Sequence, residues 1–167
     1  MGEIDSLLST QRLVAGHDVA SFACGRPDLD EWLKRRALSN EGRASRTYVV
    51  ATGVRVVGYY SLAAGAVERV AVPRKIRHDL PESVPVMVLG RLATDVSFQG
   101  RGVGKGMLKD ALVRSIAVSE VIGIRAVLVH ALDDDAVTAY APFGFVPSPI
   151  GERTLVLPIE TVIRALG

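Results

Sequence analysis

Residues 86–121 constrain this chain more than any other stretch. An apolar run, Val86-Met87-Val88-Leu89-Gly90-Arg91-Leu92-Ala93, reads as a buried strand, and the glycine within it suggests a bulge. Glycines follow at positions 100, 102, 104 and 106. Val103, Met107, Leu108, Ala111, Leu112 and Ile116 then recur at helical spacing up to about Val121. A strand, a glycine turn and a helix in that order commit the chain to α/β architecture. The turn also has chemistry. Glycine permits positive φ and close approach of main-chain N–H groups to a ligand. The first amides of the helix have no partner within it, and the helix dipole is positive at that end. The product is an anion site suited to phosphate or pyrophosphate, with Arg101 and Lys105 at its rim. On the residues alone, the alternative is a turn that only permits a tight connection.

The nucleotide-binding versions of such a turn fit poorly. A hydrolase P-loop needs Gly-Lys followed by Ser or Thr to hold magnesium, but Lys105 is followed by Gly106. A dinucleotide-binding turn needs an acidic residue about 20 positions on, at the end of the next strand. Glu120 is near that distance but falls inside the expected helix.

Elsewhere, Arg12 to Ala15 reads as a short first strand. Pro27 precedes Asp28-Leu29-Asp30-Glu31, an acidic helix start, and Leu29, Trp32, Leu33, Arg36, Ala37 and Asn40 share a helical face that Gly42 ends. Thr47–Ala51 and Val54–Ala64 flank Gly53 as a hairpin. Gly65 to Pro85, broken by Pro73, Pro81 and Pro85, reads as irregular. Arg125–Ala131 is an apolar strand, Asp133–Ala141 a short helix stopped by Pro142, Phe143–Phe145 and Thr154–Leu157 closing strands, and Ile159–Leu166 a final helix. His130, Cys24 and Trp32 are expected to be packed in the interior. Asp133 is expected to cap its helix, with Asp134 and Asp135 facing water.

A chain of 167 residues without internal repeat or linker fits one domain, 1–167. Its 49% hydrophobic and 23% charged residues are ordinary for a globular protein. No apolar run approaches the roughly 20 residues of a membrane span. Met1 to Ser9 carries Glu3 and Asp5 and no basic start, so no secretory signal is expected and the cytoplasm is the default. One cysteine, Cys24, excludes an intrachain disulfide and argues against a cysteine metal site, so no metal is expected. Net charge is only +2, yet sixteen of the twenty basic residues are Arg, whose planar fork suits phosphate. Codon bias of a GC-rich genome gives the same excess. Position says more: Arg69, Arg74, Lys75 and Arg77 lie within ten residues, with a second basic stretch between Arg26 and Arg46. Local patches of this kind can meet a polyanion, or simply form solvated loops.

Gln99-Gly100-Arg101-Gly102-Val103-Gly104 resembles the Gln/Arg-x-x-Gly-x-Gly/Ala signature of the GCN5-related N-acetyltransferases (GNAT). The resemblance extends in order from about residue 10 to 158. It takes in Phe22-Ala23-Cys24-Gly25, Leu29-Asp30-Glu31-Trp32-Leu33, Ser45-Arg46-Thr47, Val57–Leu62, Val86–Ala93, Leu128–Asp133, Tyr140, Phe143-Gly144-Phe145 and Pro147. In this extended form it is similar to the acetyltransferase toxins of type II toxin–antitoxin modules. The implied fold is the GNAT acyltransferase fold: a mixed, mostly antiparallel sheet flanked by helices, split in a V between the strands ending at Ala93 and Ala131. Acetyl-CoA, the acetyl donor, would lie in that split. Its pantetheine arm would run along Leu92, Ala93 and Thr94, and its pyrophosphate would sit on Gln99, Gly100, Arg101, Gly102, Val103, Gly104 and Lys105. Asp133 and Phe143 are implied as further cofactor contacts. Arg74, Lys75, Arg77 and Arg91 are the candidates for binding tRNA. The implied partners are aminoacyl-tRNA, a ribbon-helix-helix antitoxin that alone would meet DNA, and a second copy of the chain in a homodimer.

The resemblance also implies a mechanism: N-acetylation of the α-amino group of aminoacyl-tRNA, which blocks translation. Amides near Leu92 and Ala93 would serve the oxyanion, and Tyr140 would be the acid that protonates the leaving thiolate. On the residues alone Tyr140 reads as packing for its helix, and only the resemblance makes it the acid. No carboxylate stands out as a general base. That favours an α-amine, with a pKa near 7.7–8.0, over a lysine near 10.4. A general GNAT enzyme acting on a small-molecule or protein amine is the alternative, and a non-catalytic CoA-binding module a third. The chain departs from the pattern at Phe98, where Trp is usual, and at Ala139 and Pro142 around Tyr140.

Overall fold

The computed structural model describes residues 9–77 and 79–166. The reading of the N-terminus as lacking a secretory signal therefore falls almost wholly outside the described residues. Among the described residues, seven strands form one sheet: β1 (Gln11–Arg12), β2 (Arg46–Thr52), β3 (Arg55–Glu68), β4 (Ser83–Thr94), β5 (Ala126–His130), β6 (Val146–Ser148) and β7 (Gly151–Pro158), in the order β1-β2-β3-β4-β5-β7-β6. The helices are α1 (Pro27–Arg35), α2 (Ala37–Asn40), α3 (Val103–Ser119), α4 (Asp134–Tyr140) and α5 (Ile159–Leu166). The β1–β2, β2–β3, β5–β7 and β6–β7 pairs are antiparallel, and β4–β5 is parallel. This is the mixed, mostly antiparallel sheet with helices that the resemblance implies.

The chain divides into two compact units. The first comprises the N-terminal part up to Ala63 together with Gly90–Ala111. Its core gathers Leu13, Phe22, Leu29, Leu33, Ala37, Val49, Val56, Tyr59 and Ala93. Pro27 starts α1 at a position where its fixed φ suits a helix and its missing N–H costs nothing. No acidic side chain caps α1, contrary to the sequence reading. Arg26 is the N-cap, and Asp30 instead accepts a hydrogen bond from Cys24 N–H at 2.9 Å. Leu29 and Leu33, one turn apart, bury the inner face. The single helix expected through Asn40 breaks at Arg36 (φ −122°). Ser39 Oγ and Asn40 Nδ2 both donate to the Arg36 carbonyl, at 3.0 and 2.9 Å, offering the backbone a competing bond there. The β2–β3 hairpin turns at Gly53 (φ 59°) as expected. Gly58 lets α3 lie close on β3: a Cβ there would stand 3.1 Å from the Met107 sulfur. Asp110 of α3 accepts from the Tyr60 hydroxyl of β3 and from Thr10 Oγ1 at 2.7 Å.

The second unit comprises Ala64–Leu89 and the chain from Leu112 onward. Val72, Leu80, Val84, Val86, Ala126, Leu128 and Val156 form its core. The segment expected to be irregular from Gly65 is strand as far as Glu68, and β4 already begins at Ser83. Gly65 is a packing glycine, not a turn: a Cβ there would lie 2.8 Å from Val88 Cγ2. Pro85 sits in β4 because only its carbonyl is required, accepting from Arg125 N–H at 2.9 Å. The parallel β4–β5 register runs from Val86↔Ala126 to Leu89↔Val129 and ends just before Gly90. Phe143–Phe145 is not a strand. Ala141–Phe143 is a 3-10 turn closed by left-handed Gly144 (φ 99°), and the strand begins at Val146. The final helix spans Ile159–Leu166, as the sequence indicates.

Candidate active site

The glycine turn occupies the place expected of it, between the end of β4 and the start of α3. Gly100 (φ 78°) and Gly102 (φ 83°) are left-handed, a conformation that costs other residues roughly 1–2 kcal/mol. A Cβ at either position would meet nothing within 4 Å. These glycines therefore answer to backbone conformation, and the space beside them is open. The first backbone bond into the helix runs from Gly106 N–H to the Gly102 carbonyl at 3.0 Å. The amides of Val103, Gly104 and Lys105 precede it and have no helical acceptor. Arg101 and Lys105 are exposed at the rim. Phe98, where the GNAT pattern prefers Trp, is buried beneath the Arg101 guanidinium, 4.9 Å from its ring centroid. This mouth fits a pyrophosphate by donor set, by dipole and by room. Beside it, Leu92, Ala93, Thr94 and Gln99 line an open cavity of about 260 Å³ whose remaining lining is Cys24 and Arg26. Backbone groups at the end of β4 are thus next to space that can take a slender chain such as pantetheine.

Two side chains stitch this region together. Asp95 is only 2% exposed, and its carboxylate accepts from Ala23 N–H at 3.0 Å, Ser97 N–H at 2.9 Å and Ser97 Oγ at 2.6 Å. The Arg55 guanidinium stands 3.7 Å away. Burial works to raise its pKa, but the Ser97 and Ala23 hydrogen bonds and Arg55 outweigh that and hold the carboxyl below its ordinary value. Gln99 Nε2 donates to both the Cys24 and the Thr94 carbonyls, each at 2.9 Å. Val96 N–H donates to the Ala23 carbonyl at 2.8 Å. Residues 23–24 are therefore sewn to the 94–99 connection that leads into the glycine turn. Sequence reasoning named Gln99 only for its backbone and missed Asp95 altogether. Only the local half of its role was legible, since an Asp side chain commonly caps the N–H two residues on, whereas the bond from Ala23 was not.

Arg91 opens the 91–94 stretch of β4. Its guanidinium lies 4.0 Å over the Trp32 ring, and Trp32 stacks on Tyr59 with centroids 5.9 Å apart and an interplanar angle of 11°. Trp32 is thus half-buried as a platform and not sealed in the core. Cys24 is likewise half-buried, and burial and the Asp30 hydrogen bond push its thiol up to about 11, an unreactive value.

The other candidates lie in the second unit. Tyr140 ends α4, half-buried, with its ring edge-on to Phe145 at 5.4 Å. Burial pushes its hydroxyl up to about 12, so it keeps its proton at neutral pH. Asp133 caps α4, accepting from Ala136 N–H at 2.9 Å, so its carboxylate already has structural work. Phe143 sits half-buried in the 3-10 turn. Of the basic cluster, Arg69 donates to the Leu80 carbonyl at 3.2 Å, and Arg77 donates twice to the Val72 carbonyl, at 3.2 and 2.9 Å. These two shape the loop, while Arg74 and Lys75 are exposed on its second 3-10 turn. His130, expected in the core, is exposed at the end of β5 with Nδ1 3.1 Å from Thr154 Oγ1. Among the described residues, no cluster of His, Cys, Asp or Glu could hold a metal ion, and no helix is long and apolar enough to cross a membrane.

Comparison with known proteins agrees with this geometry. Residues 13–145 match the model of the acetyltransferase (GNAT) family. A tRNA-acetylating toxin of Mycobacterium tuberculosis is 41% identical over 158 residues, covering 94% of this chain and 95% of that protein. Among solved structures, AtaT complexed with acetyl-methionyl-tRNAfMet aligns with a TM-score of 0.89 at 28% identity, covering 95% of this chain and 99% of the other. AtaTR bound with AcCoA aligns with a TM-score of 0.82 at 30% identity, covering 95% and 98%. A tyrosine-to-phenylalanine variant of KacT aligns with a TM-score of 0.87 at 26% identity, covering 94% and 98%. The chain belongs to the acetyltransferase (GNAT) family, alongside these toxins.

Proposed function

We propose that this protein is the toxin of a type II toxin–antitoxin module and transfers acetyl from acetyl-CoA to the α-amino group of an aminoacyl-tRNA. The observation that carries this reading is a glycine-opened helix mouth, suited to an anion, within a chain that matches a tRNA-acetylating toxin along almost its whole length. Acetyl-CoA supplies the activated acyl group. Gly100, Gly102, Val103, Gly104 and Lys105 hold its pyrophosphate through their amides, with Arg101 and the Gln99 backbone at the edge, and Leu92, Ala93 and Thr94 line its pantetheine arm. Phe143 is a further cofactor contact, and Asp133 serves chiefly by fixing the start of α4.

Tyr140 is the acid. Its raised pKa keeps the proton on the hydroxyl, and no protein group among the described residues accepts it. Asp95 is excluded as a general base because its oxygens are committed to Ala23, Ser97 and Arg55. An acceptor that is largely neutral at working pH suits such a site, and an α-amine is one where a lysine is not. Arg74 and Lys75, on a loop that Arg77 holds in shape, and Arg91 on β4 offer exposed or half-exposed guanidinium and ammonium groups to tRNA phosphates. The partners in this reading are a ribbon-helix-helix antitoxin, through which alone DNA is met, and a second copy of the chain. The site of action is the cytoplasm.

The test is direct. Labelled acetyl-CoA is incubated with the protein and total charged tRNA. Label entering the tRNA fraction, and leaving it on mild base as N-acetyl amino acid, is the expected result. Label found only on free small molecules or on protein lysines would replace this reading with a general GNAT amine acetyltransferase.

A further inference from the structure

We propose that Arg91, seated on the Trp32 ring, is the subsite for the phosphate nearest the acceptor amine: the phosphodiester on the 5′ oxygen of the ribose that bears the aminoacyl ester. The inference rests on the tRNA-acetylating reading above and assigns one phosphate to one side chain.

The site is built from the strand outward. Phe22 packs edge-on against Tyr59 at 5.5 Å, and the Tyr59 hydroxyl is fixed by a 2.7 Å bond to the Leu29 carbonyl at full burial. Trp32 lies flat on that immobilised ring, and the Arg91 guanidinium lies over Trp32. Such a cation–π seat holds the guanidinium without using any of its N–H donors. No acidic side chain or carbonyl among the described residues accepts from Arg91. A positioned, half-exposed fork with its donors unspent is what bidentate phosphate recognition requires.

Position along the strand decides which phosphate. The glycine turn that takes the donor's pyrophosphate follows Thr94, whereas Arg91 stands at the other end of the Arg91–Thr94 stretch. At about 3.3 Å per residue, roughly 10 Å of strand separates the two ends, before the Asp95–Gln99 connection adds more. Arg91 therefore lies toward the acyl end of the pantetheine arm, where the donor has no charge. The negative charge available there belongs to the acceptor. In an aminoacyl ester of a terminal ribose, the nearest phosphate is the one on that same sugar.

The test compares two acceptors bearing the same amino acid: charged tRNA, and the aminoacyl adenosine that has the ester but no phosphate. For Arg91→Ala, the ratio of kcat/KM on charged tRNA to kcat/KM on aminoacyl adenosine should fall at least tenfold, mainly through KM. The slope of log kcat/KM against log salt on tRNA should become shallower by about 0.7, one phosphate contact on single-stranded nucleic acid. Arg91→Lys, which keeps charge but not the fork, should fall between. Trp32→Phe should keep the wild-type ratio and Trp32→Leu should move it toward that of Arg91→Ala. Equal losses on both acceptors, or an unmoved ratio and salt slope, would overturn the assignment while leaving the function standing. A wild type that labels no charged tRNA would overturn both.

Discussion

Asp95 gives the sharpest structural prediction, because its role is read from distances and not from family resemblance. Asp95→Ala removes the acceptor of three hydrogen bonds, from Ala23 N–H, Ser97 N–H and Ser97 Oγ. A bond to an ionised acceptor contributes about 1.5–3 kcal/mol when both groups are buried. Ala23 and Ser97 are themselves exposed, so water can reach their donors once the carboxylate is gone. About 1 kcal/mol each, or about 3 kcal/mol in all, is the expected cost. For a chain of this size that lowers Tm by roughly 6–12 °C. Asp95→Asn keeps the shape but turns one acceptor into a donor facing an N–H, and should lose a comparable share. The pH dependence follows from the lowered pKa. The carboxylate's contribution is fully present above the unfolded value, near 3.9, and is lost as pH falls through the lower folded value. The Tm gap between wild type and Asp95→Ala should therefore be full at pH 7 and narrow below about pH 4. Circular-dichroism melts at pH 7 and pH 3 measure it. A gap under 2 °C at pH 7, or one of equal size at both pH values, would refute the stitch as described.

The catalytic residue makes two further predictions. Tyr140→Phe should cut acetyl transfer by about 10²–10⁴-fold, the usual worth of a positioned acid, with acetyl-CoA affinity unchanged in calorimetry. Loss of affinity in step with rate would mean that Tyr140 only packs its helix. The pH profile of kcat/KM should rise as the acceptor amine loses its proton, between about pH 7 and 8, and then stay flat to about pH 9, where base cleavage of the aminoacyl ester ends the usable range, because burial holds the Tyr140 hydroxyl up at about 12. A descending limb centred at or below about pH 9 would show a tyrosine without the burial seen here.

Features that depend on local chemistry were legible in the sequence. The glycine turn and α3 announce themselves because positive φ at Gly100 and Gly102 and apolar spacing from Val103 are properties of adjacent residues. The hairpin at Gly53, the Asp133 cap and the last helix are of the same kind. What failed was set by packing contacts and backbone turns that residue type alone does not announce. Gly65 looks like a breaker until Val88 is seen packed against it, and Phe143–Phe145 looks like a strand until Gly144 turns left-handed. Arg36 ends a helix at a carbonyl to which the Ser39 and Asn40 side chains both reach back. His130 has the composition of a core strand around it but stands at the strand's exposed end. At the site, the recognised motif located the cofactor's backbone donors. The roles of Asp95 and the Gln99 side chain depend on Ala23 and Cys24, more than seventy residues earlier, and no spacing rule reaches that far. Trp32 reads as core by type, and only the position of Arg91 above it reveals a platform.

The central claim is that main-chain amides at the start of α3 grip the diphosphate of acetyl-CoA. Titrating acetyl-CoA into wild type and Gly102→Val by calorimetry tests it most directly. A β-branched residue is a severe misfit at φ 83°, and its side chain would occupy the open space the ligand needs. Saturable heat with wild type, and a Kd weakened at least tenfold in a variant that still melts cooperatively but roughly 2–8 °C lower, is the predicted pair of results. Equal affinities in the two proteins, or no heat with wild type at saturating ligand, would contradict it.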